Sequence, residues 1–266
     1  MTATPTPTSG RRRSVPRWVT PALGIGALVF SGIAIVDGLW ILGPTAEQGD
    51  YSRLLVVHPA VATIAYVAFG ITALASLLYL LPRTRRREWD QLAGASAEVG
   101  VVFCALTLVT GSIWGRPVWG VWWTWDARLT ATALLLVLFL GYLALRRVPA
   151  EETVRGRRCA VAALIALLDV PVDHYATSWW QTLHQGSSVD LLQPDKHLDT
   201  SHNVALLLGF IAMALAFAWL LVIRYRVEQL ETRYEQEGLA IALEARRAEG
   251  GVGVTDDTDH RVGASA

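Results

Sequence analysis

The chain has 266 residues, of which 53% are hydrophobic and 17% are charged, and its formal net charge at pH 7 is zero. This apolar composition, with eleven tryptophans, exceeds what an ordinary soluble domain carries and predicts a membrane protein in contact with the lipid bilayer. The balanced charge excludes a general electrostatic attraction to nucleic acid, so we expect no nucleic-acid partner.

Six apolar segments approach the roughly 20 residues that a helix needs to cross a bilayer. In chain order they are residues 19–42, 54–82, 92–113, 128–145, 159–180 and 204–223. The sequence therefore predicts an all-α, polytopic membrane protein with six transmembrane helices in a membrane domain of residues 19–223. The first apolar run is too long for a cleaved signal peptide and has no small-residue cleavage pattern, so we expect it in the mature protein.

Basic residues are segregated between the two sides of the predicted membrane domain. The tails and loops on one side hold fifteen arginines, whereas the opposite loops hold four basic residues, which are Arg53, Arg116, Arg128 and Lys196. Because arginine-rich loops stay in the cytoplasm, we expect both termini to be cytoplasmic. The segment between the third and fourth helices should then lie outside.

The two tails differ in composition from the membrane domain. Residues 1–18 are basic and rich in Pro and Thr, which predicts a disordered tail that meets anionic headgroups. Residues 224–266 begin with a stretch rich in Glu, Arg, Ala and Leu and end in a Gly-rich and Asp-rich segment. We expect a cytoplasmic extension of the last helix followed by an unstructured end.

The external loop predicted at residues 113–128 is the most aromatic part of the chain. The twelve residues 114–125 contain five tryptophans, which are Trp114, Trp119, Trp122, Trp123 and Trp125. An interfacial aromatic belt explains single tryptophans, but a belt spreads them over many helix ends. If residues 119–126 are helical, three of these indoles and Asp126 share one face. Such a flat aromatic surface suits a planar, apolar ligand.

Two histidines are expected on the same outer side as these tryptophans. His58 lies near the start of the second predicted helix, and His184 lies in the loop after the fifth. A lone histidine is ordinarily a hydrogen-bonded structural residue, but two beside an aromatic surface favour axial ligation of a haem iron. Arg53, Arg116 or Arg128 would then pair with the haem propionates. The sequence thus predicts haem b as the bound group.

The stretch "WGVWWTWD" resembles the W-G-x-x-W-x-W-D box of the haem-handling proteins of cytochrome c biogenesis. Within that superfamily the chain resembles the CcmC family. The resemblance extends over about residues 40–210 and includes "YSRLLVVHPA" and "PVDHYATSWWQTLHQGSS". Six helices with both termini inside also agree with that family.

The resemblance implies a bacterial plasma-membrane protein that holds haem at the external face and delivers it to the haem chaperone CcmE. It also implies the partners CcmA and CcmB, which form an ATP-binding-cassette pair, and the small membrane protein CcmD. Residue by residue, His58 and His184 match the axial histidines. The signature box is matched by Trp119, Trp123, Trp125 and Asp126. Arg53 and Arg128 match basic residues near the haem, and Trp114 and Trp122 match less diagnostic aromatic positions.

Within this set, Asp126 cannot stack on a porphyrin, so we expect it at the rim of the site. There it would orient the tryptophans through Arg128 or contact the chaperone.

Two other functions and two other residues remain open at this stage. A membrane electron-transfer subunit similar to cytochrome b would also bind haem, but such proteins usually place paired histidines deep between helices. A cytochrome c haem lyase of the same superfamily is an enzyme, and its larger helix count argues against it; we expect a trafficking component and no catalytic residue.

Asp169 and His174 have no assigned role. Asp169 is placed to hydrogen-bond with the backbone groups that Pro171 leaves without a partner.

Overall fold

The computed structural model describes residues 16–45, 48–184 and 200–252. Most of the predicted N-terminal tail, and the C-terminal end beyond residue 252, therefore lie outside the described residues. Throughout the described ranges the regular structure is helical. Seven α-helices follow one another: α1 (Val19–Val36), α2 (His58–Leu80), α3 (Arg87–Trp119), α4 (Ala127–Arg147), α5 (Glu152–Leu167), α6 (Asp169–Trp179) and α7 (Thr200–Val252).

Six helical stretches are long and apolar enough to cross a membrane, which confirms the predicted fold class. They are Val19–Ile41, Asp50–Leu80, Arg87–Trp119, Ala127–Arg147, Glu152–Trp179 and Thr200–Ala248. The first continues α1 through a π-helical turn, Asp37–Ile41. The second begins with a 3-10 helix, Asp50–Val56, that leads directly into α2.

The fifth span is divided where the sequence predicts one continuous helix. Helix α5 ends at Leu167 and α6 begins at Asp169. Pro171 has no backbone N–H to donate to the carbonyl of Leu167, so the regular hydrogen-bond ladder is interrupted at this point. Helix α6 continues the span to Trp179, five residues before His184.

Helix α3 is longer at both ends than the predicted span 92–113. Its first turns carry Asp90 and Gln91, which are buried because Arg146 pairs with the carboxylate and Thr232 bonds the amide. Its last turn ends at Gly120, which has a φ of 79° and donates its N–H to the carbonyl of Arg116. Glycine adopts this left-handed conformation at low cost and so ends the helix.

The apolar core lies between α2, α3, α4 and α5. The rings of Phe69 and Phe139 stack at 3.7 Å between centroids, and Gly100 lets α3 approach closely, since a Cβ there would lie 2.8 Å from the Phe69 ring. Helix α1 packs mainly on α7, where Gly24 lies against the Trp219 indole. The core therefore holds α2, α3 and α4 in the positions that carry the predicted ligands.

Ion pairs join helices at the arginine-rich end of the bundle. Arg146 of α4 pairs with Asp90 of α3 at 2.8 Å and with Glu228 of α7 at 3.3 Å. Arg224 of α7 pairs with Glu98 of α3. His58 and His184 lie near the other ends of α3 and α4, beside Thr110 and Asp126.

Candidate functional site

The site is formed by the start of α2, the end of α3, the start of α4 and the segment that follows α6. His58 is the first residue of α2, and His184 lies five residues beyond the end of α6. The two imidazoles are within electrostatic range of each other and of the Arg128 guanidinium. The fold thus brings together two histidines that are 126 positions apart in the sequence.

His58 is held by a contact that selects its tautomer. Its Nδ1 lies 2.9 Å from the hydroxyl oxygen of Thr110 on α3. That hydroxyl donates its proton to the carbonyl of Leu106 at 2.7 Å, so it accepts the Nδ1–H of His58. Nε2 therefore keeps its lone pair. Gly111 permits this arrangement, because a Cβ there would lie 3.1 Å from the imidazole.

His184 is a neutral imidazole in a largely apolar position. Burial, together with the positive charge of Arg128, lowers the pKa of His184 to about 4, although Asp126 acts in the opposite direction. Its Nδ1 is buried and has no hydrogen-bond partner among the residues that the structure describes. Because Nδ1 faces Asp126 Oδ1 at 3.9 Å, Nε2 is the nitrogen that a neutral imidazole would offer to a metal.

Each histidine has an indole as its neighbour. Trp114 meets His58 edge-on, with 5.6 Å between ring centroids and an interplanar angle of 86°. Trp119 meets His184 at 4.9 Å and 61°. Trp114 is fixed in turn by its Nε1–H, which donates to the side-chain oxygen of Gln48 at 3.1 Å. Aromatic contacts therefore position both predicted ligands.

The other three tryptophans of the box do not lie on a helix. Residues 120–126 are non-helical, so the single aromatic face expected from helical spacing is wrong. Trp122 and Trp125 are 60% and 82% exposed, and Trp123 meets Trp125 edge-on at 5.6 Å. The glycine that ends α3 releases these rings from the helical repeat and leaves two of them open to a ligand or partner.

The basic residues of the site are engaged to different extents. Arg53 pairs with Asp50 at 2.9 Å and donates to the carbonyl of Leu39, which ties the start of the second span to the end of the first. Arg116 donates to the carbonyl of Gly120. Arg128 is within electrostatic range of both imidazoles, and also of Tyr66 and Asp173.

Asp126, which we expect at the rim of the site, is a buried residue. It is 8% exposed and precedes the first residue of α4, where its carboxylate accepts the backbone N–H of Arg128 at 2.9 Å. The second carboxylate oxygen accepts the backbone N–H of Leu183 at 2.7 Å. Asp126 is therefore an N-cap that also holds the segment carrying His184.

A polar cluster that sequence reasoning missed lies below the site. Asp173 of α6 is fully buried and accepts hydrogen bonds from the Tyr66 hydroxyl at 2.9 Å and the Thr132 hydroxyl at 3.0 Å. These contacts join α6 to α2 and α4. Asp169, one turn earlier, is also buried, and its Oδ2 has no hydrogen-bond partner within the described ranges. His174 is exposed and contacts the rings of Tyr66 and Tyr175.

Comparison with known proteins identifies the family of this chain. The family model described as heme exporter protein C, CcmC, matches residues 5–240. This chain belongs to the CcmC family. The resemblance inferred from the tryptophan box is therefore confirmed.

Three bacterial relatives of this CcmC-family chain are each named heme exporter protein C. The Haemophilus influenzae protein is 33% identical over 213 residues, which cover 80% of this chain and 85% of the relative. The Bradyrhizobium diazoefficiens protein is 36% identical over 187 residues, or 70% of each chain. The Escherichia coli K12 protein is 34% identical over 171 residues, or 64% of this chain and 69% of the relative.

The contacts that sequence reasoning missed in this CcmC-family chain have weak local signals. Thr110, Gln48 and Tyr66 lie in apolar or loop stretches of the sequence that do not single them out. Asp173 offered a signal, because a carboxylate within a membrane span is costly unless it is partnered. Its partners are 107 and 41 positions away, so the sequence did not identify them.

Proposed function

We propose that this protein binds haem b between His58 and His184, at the external face of the bacterial plasma membrane. The observation that carries the proposal is that both imidazoles lie at one end of the bundle, each beside an indole and each with Nδ1 facing a side-chain oxygen, so that Nε2 is left for the iron. Neutral imidazoles are the usual axial ligands of low-spin haem, and indoles offer apolar area to a porphyrin. Arg128 would pair with a propionate, and the exposed Trp122 and Trp125 would cover a porphyrin edge.

We infer that the bound haem is cargo that the protein delivers to the chaperone CcmE for cytochrome c maturation. Membership of the CcmC family and relatives named heme exporter protein C support this role. CcmA, CcmB and CcmD would be further partners. In this proposal the protein is a trafficking component with no catalytic residue of its own.

The position of the histidines also favours this role over electron transfer. An electron-transfer cytochrome of the membrane usually holds haem between facing histidines inside the bundle. His58 is instead the first residue of α2, and His184 lies past the end of α6. A haem held at the edge of the bundle is accessible to a second protein.

The proposed binding site is tested by purifying the protein and measuring haem content and the absorption spectrum. His58→Ala and His184→Ala should each lower haem content and convert the low-spin spectrum, because each removes one axial ligand. The matched control is His174→Ala, since this exposed histidine faces tyrosines. Unchanged haem content and spectrum in both ligand variants would contradict the proposal.

Delivery is tested separately by co-expressing CcmE and measuring the haem covalently attached to it. We expect wild-type protein and His174→Ala to load the chaperone, and both ligand variants to load it poorly. Normal loading by variants that retain no haem would show that the bound haem is not the haem delivered.

The proposed orientation rests on the arginine bias of fifteen residues against four. It is tested by labelling single cysteines from outside in a protein whose Cys104 and Cys159 are replaced. A cysteine at position 122 should react with an impermeant reagent, and a cysteine at position 83 should not. The reverse labelling pattern would show that the orientation in the membrane is opposite to the proposed one.

A further inference from the structure

The Asp126 carboxylate connects two parts of the chain that carry different elements of the site. Its Oδ1 accepts the N–H of Arg128 at the start of α4, and its Oδ2 accepts the N–H of Leu183 in the segment after α6. At 2.7 Å the second contact is a short, charge-assisted hydrogen bond. Because the carboxylate is 8% exposed, water competes little for these bonds.

The same carboxylate faces the imidazole of His184. Asp126 Oδ1 lies 3.9 Å from His184 Nδ1, which is the nitrogen without a hydrogen bond in the described part of the chain. A shift of about 1 Å would turn this approach into a hydrogen bond. Metal-bound histidines commonly donate their second N–H to a carboxylate, which fixes the ring and makes it a better ligand.

The two histidines are therefore supported by different chemical groups. His58 donates to a neutral hydroxyl on the rigid helix α3, from Nδ1 to Thr110. His184 lies on a non-helical segment and has a carboxylate opposite the same ring atom. The Leu183 N–H joins this segment to Asp126 at the start of α4, whereas the Thr182 hydroxyl donates within the segment, to the carbonyl of His184.

We propose that Asp126 is the positioning residue for His184: it holds the ligand segment through the Leu183 N–H and orients the imidazole through Nδ1. This inference rests on the proposed haem-binding function. It assigns to the aspartate of the tryptophan box a role in presenting the second ligand rather than a contact with the porphyrin. Thr110 has the corresponding role for His58.

The test uses a variant that keeps the helix cap and removes only the second contact. Asp126→Ser leaves a hydroxyl that caps α4, since serine is a preferred N-cap residue, but provides no second oxygen for Leu183. Asp126→Ala removes both functions. Thr110→Val is the matched control, because it removes the support of the other histidine. Haem affinity is measured by titration of the purified full-length protein.

We expect Asp126→Ser to weaken haem binding about 10-fold or more, close to the effect of Asp126→Ala. Losses of this size are typical when a residue that hydrogen-bonds to a metal-binding histidine is replaced. The heme reduction potential of Asp126→Ser should become more positive, because the lost negative charge stabilised the ferric state. In a His184→Ala background Asp126→Ser should cause no further loss of affinity, whereas in a His58→Ala background it should. Thr110→Val should show the opposite pattern.

A measurement without haem separates this inference from the proposed function. Amide hydrogen exchange of the peptide containing residues 180–184 should be faster in Asp126→Ser than in wild type and unchanged in Thr110→Val. Unchanged exchange, or equal loss of affinity in both histidine backgrounds, would overturn the positioning role. If instead His58→Ala and His184→Ala leave haem binding intact while exchange responds as expected, the proposed function fails and the structural contact stands.

Discussion

The two ends of the helical bundle differ in how their polar groups are paired. At the arginine-rich end, the guanidinium of Arg146 contacts two carboxylates from two other helices, so its charge is paired inside the protein. At the histidine end, His184 Nδ1 is buried without a hydrogen bond in the described ranges, and Trp125 is 82% exposed. The arginine-rich end therefore pairs its charge within the protein, whereas the histidine end leaves an imidazole nitrogen without a hydrogen bond and an indole exposed.

Removing the central arginine should have the largest effect on stability. Arg146→Ala leaves Asp90 without its guanidinium, while Glu228 keeps Arg224, and the side chains of Arg146 and Asp90 are only 10% and 9% exposed. We expect the free energy of unfolding to fall by about 3–5 kcal/mol, since an unpaired buried charge is costly. The haem spectrum of the protein that remains folded should be unchanged. Both are measured in detergent, by denaturant titration and by absorbance.

The control for this prediction is a more exposed ion pair at the same end. Arg87 and Glu152 pair at 2.8 Å, but their side chains are 24% and 45% exposed. Arg87→Ala should cost about 1 kcal/mol or less. If the two alanine variants lose the same stability, burial does not distinguish these pairs.

A smaller effect, confined to the histidine end, is expected from Gly209→Ala in α7. A Cβ at Gly209 would lie 1.8 Å from the backbone carbonyl oxygen of Val56, two residues before His58. Relief of this clash must move the 3-10 helix, which should cost about 1–3 kcal/mol and weaken haem binding through His58. Gly141→Ala is the control, because a Cβ there meets nothing within 4 Å. Equal haem affinity in the two variants would contradict the predicted displacement.

The smallest effect is expected from the most exposed tryptophan of the box. Trp125→Ala should leave the free energy of unfolding unchanged and weaken haem binding by about 0.5–1.5 kcal/mol, the size of one aromatic contact. Trp18→Ala, at the arginine-rich end and 69% exposed, should change neither quantity. Haem titration and thermal unfolding in detergent measure both. Loss of stability without loss of affinity would make Trp125 a membrane anchor.

Sequence reasoning predicted the membrane spans better than their ends. Each apolar segment identified in the sequence corresponds to one span, because burying apolar area in lipid depends on the residues of that segment alone. The predicted third span began too late, at residue 92, because Asp90 and Gln91 are polar. They are helical and buried because of partners that are 56 and 141 positions away.

The candidate site was predicted by residue type but not by arrangement. The tryptophan box indicated the correct family because its residues are contiguous in the sequence. The single helical face was wrong, since Gly120 ends α3 before the last three tryptophans. The burial of Asp126 and its bond to Leu183 were not predicted, because that contact joins residues 57 positions apart.

By itself, the sequence determined the membrane class, the six spans and the family, and it named the residues that we propose bind haem. Only the tertiary structure decided that Thr110 supports His58, that Asp126 holds the segment of His184, and that Asp173 joins three helices. The physical reason is that apolar transfer is a non-directional property that sums over neighbouring residues. A hydrogen bond, by contrast, requires two atoms from distant segments to meet within about 3 Å and at a favourable angle.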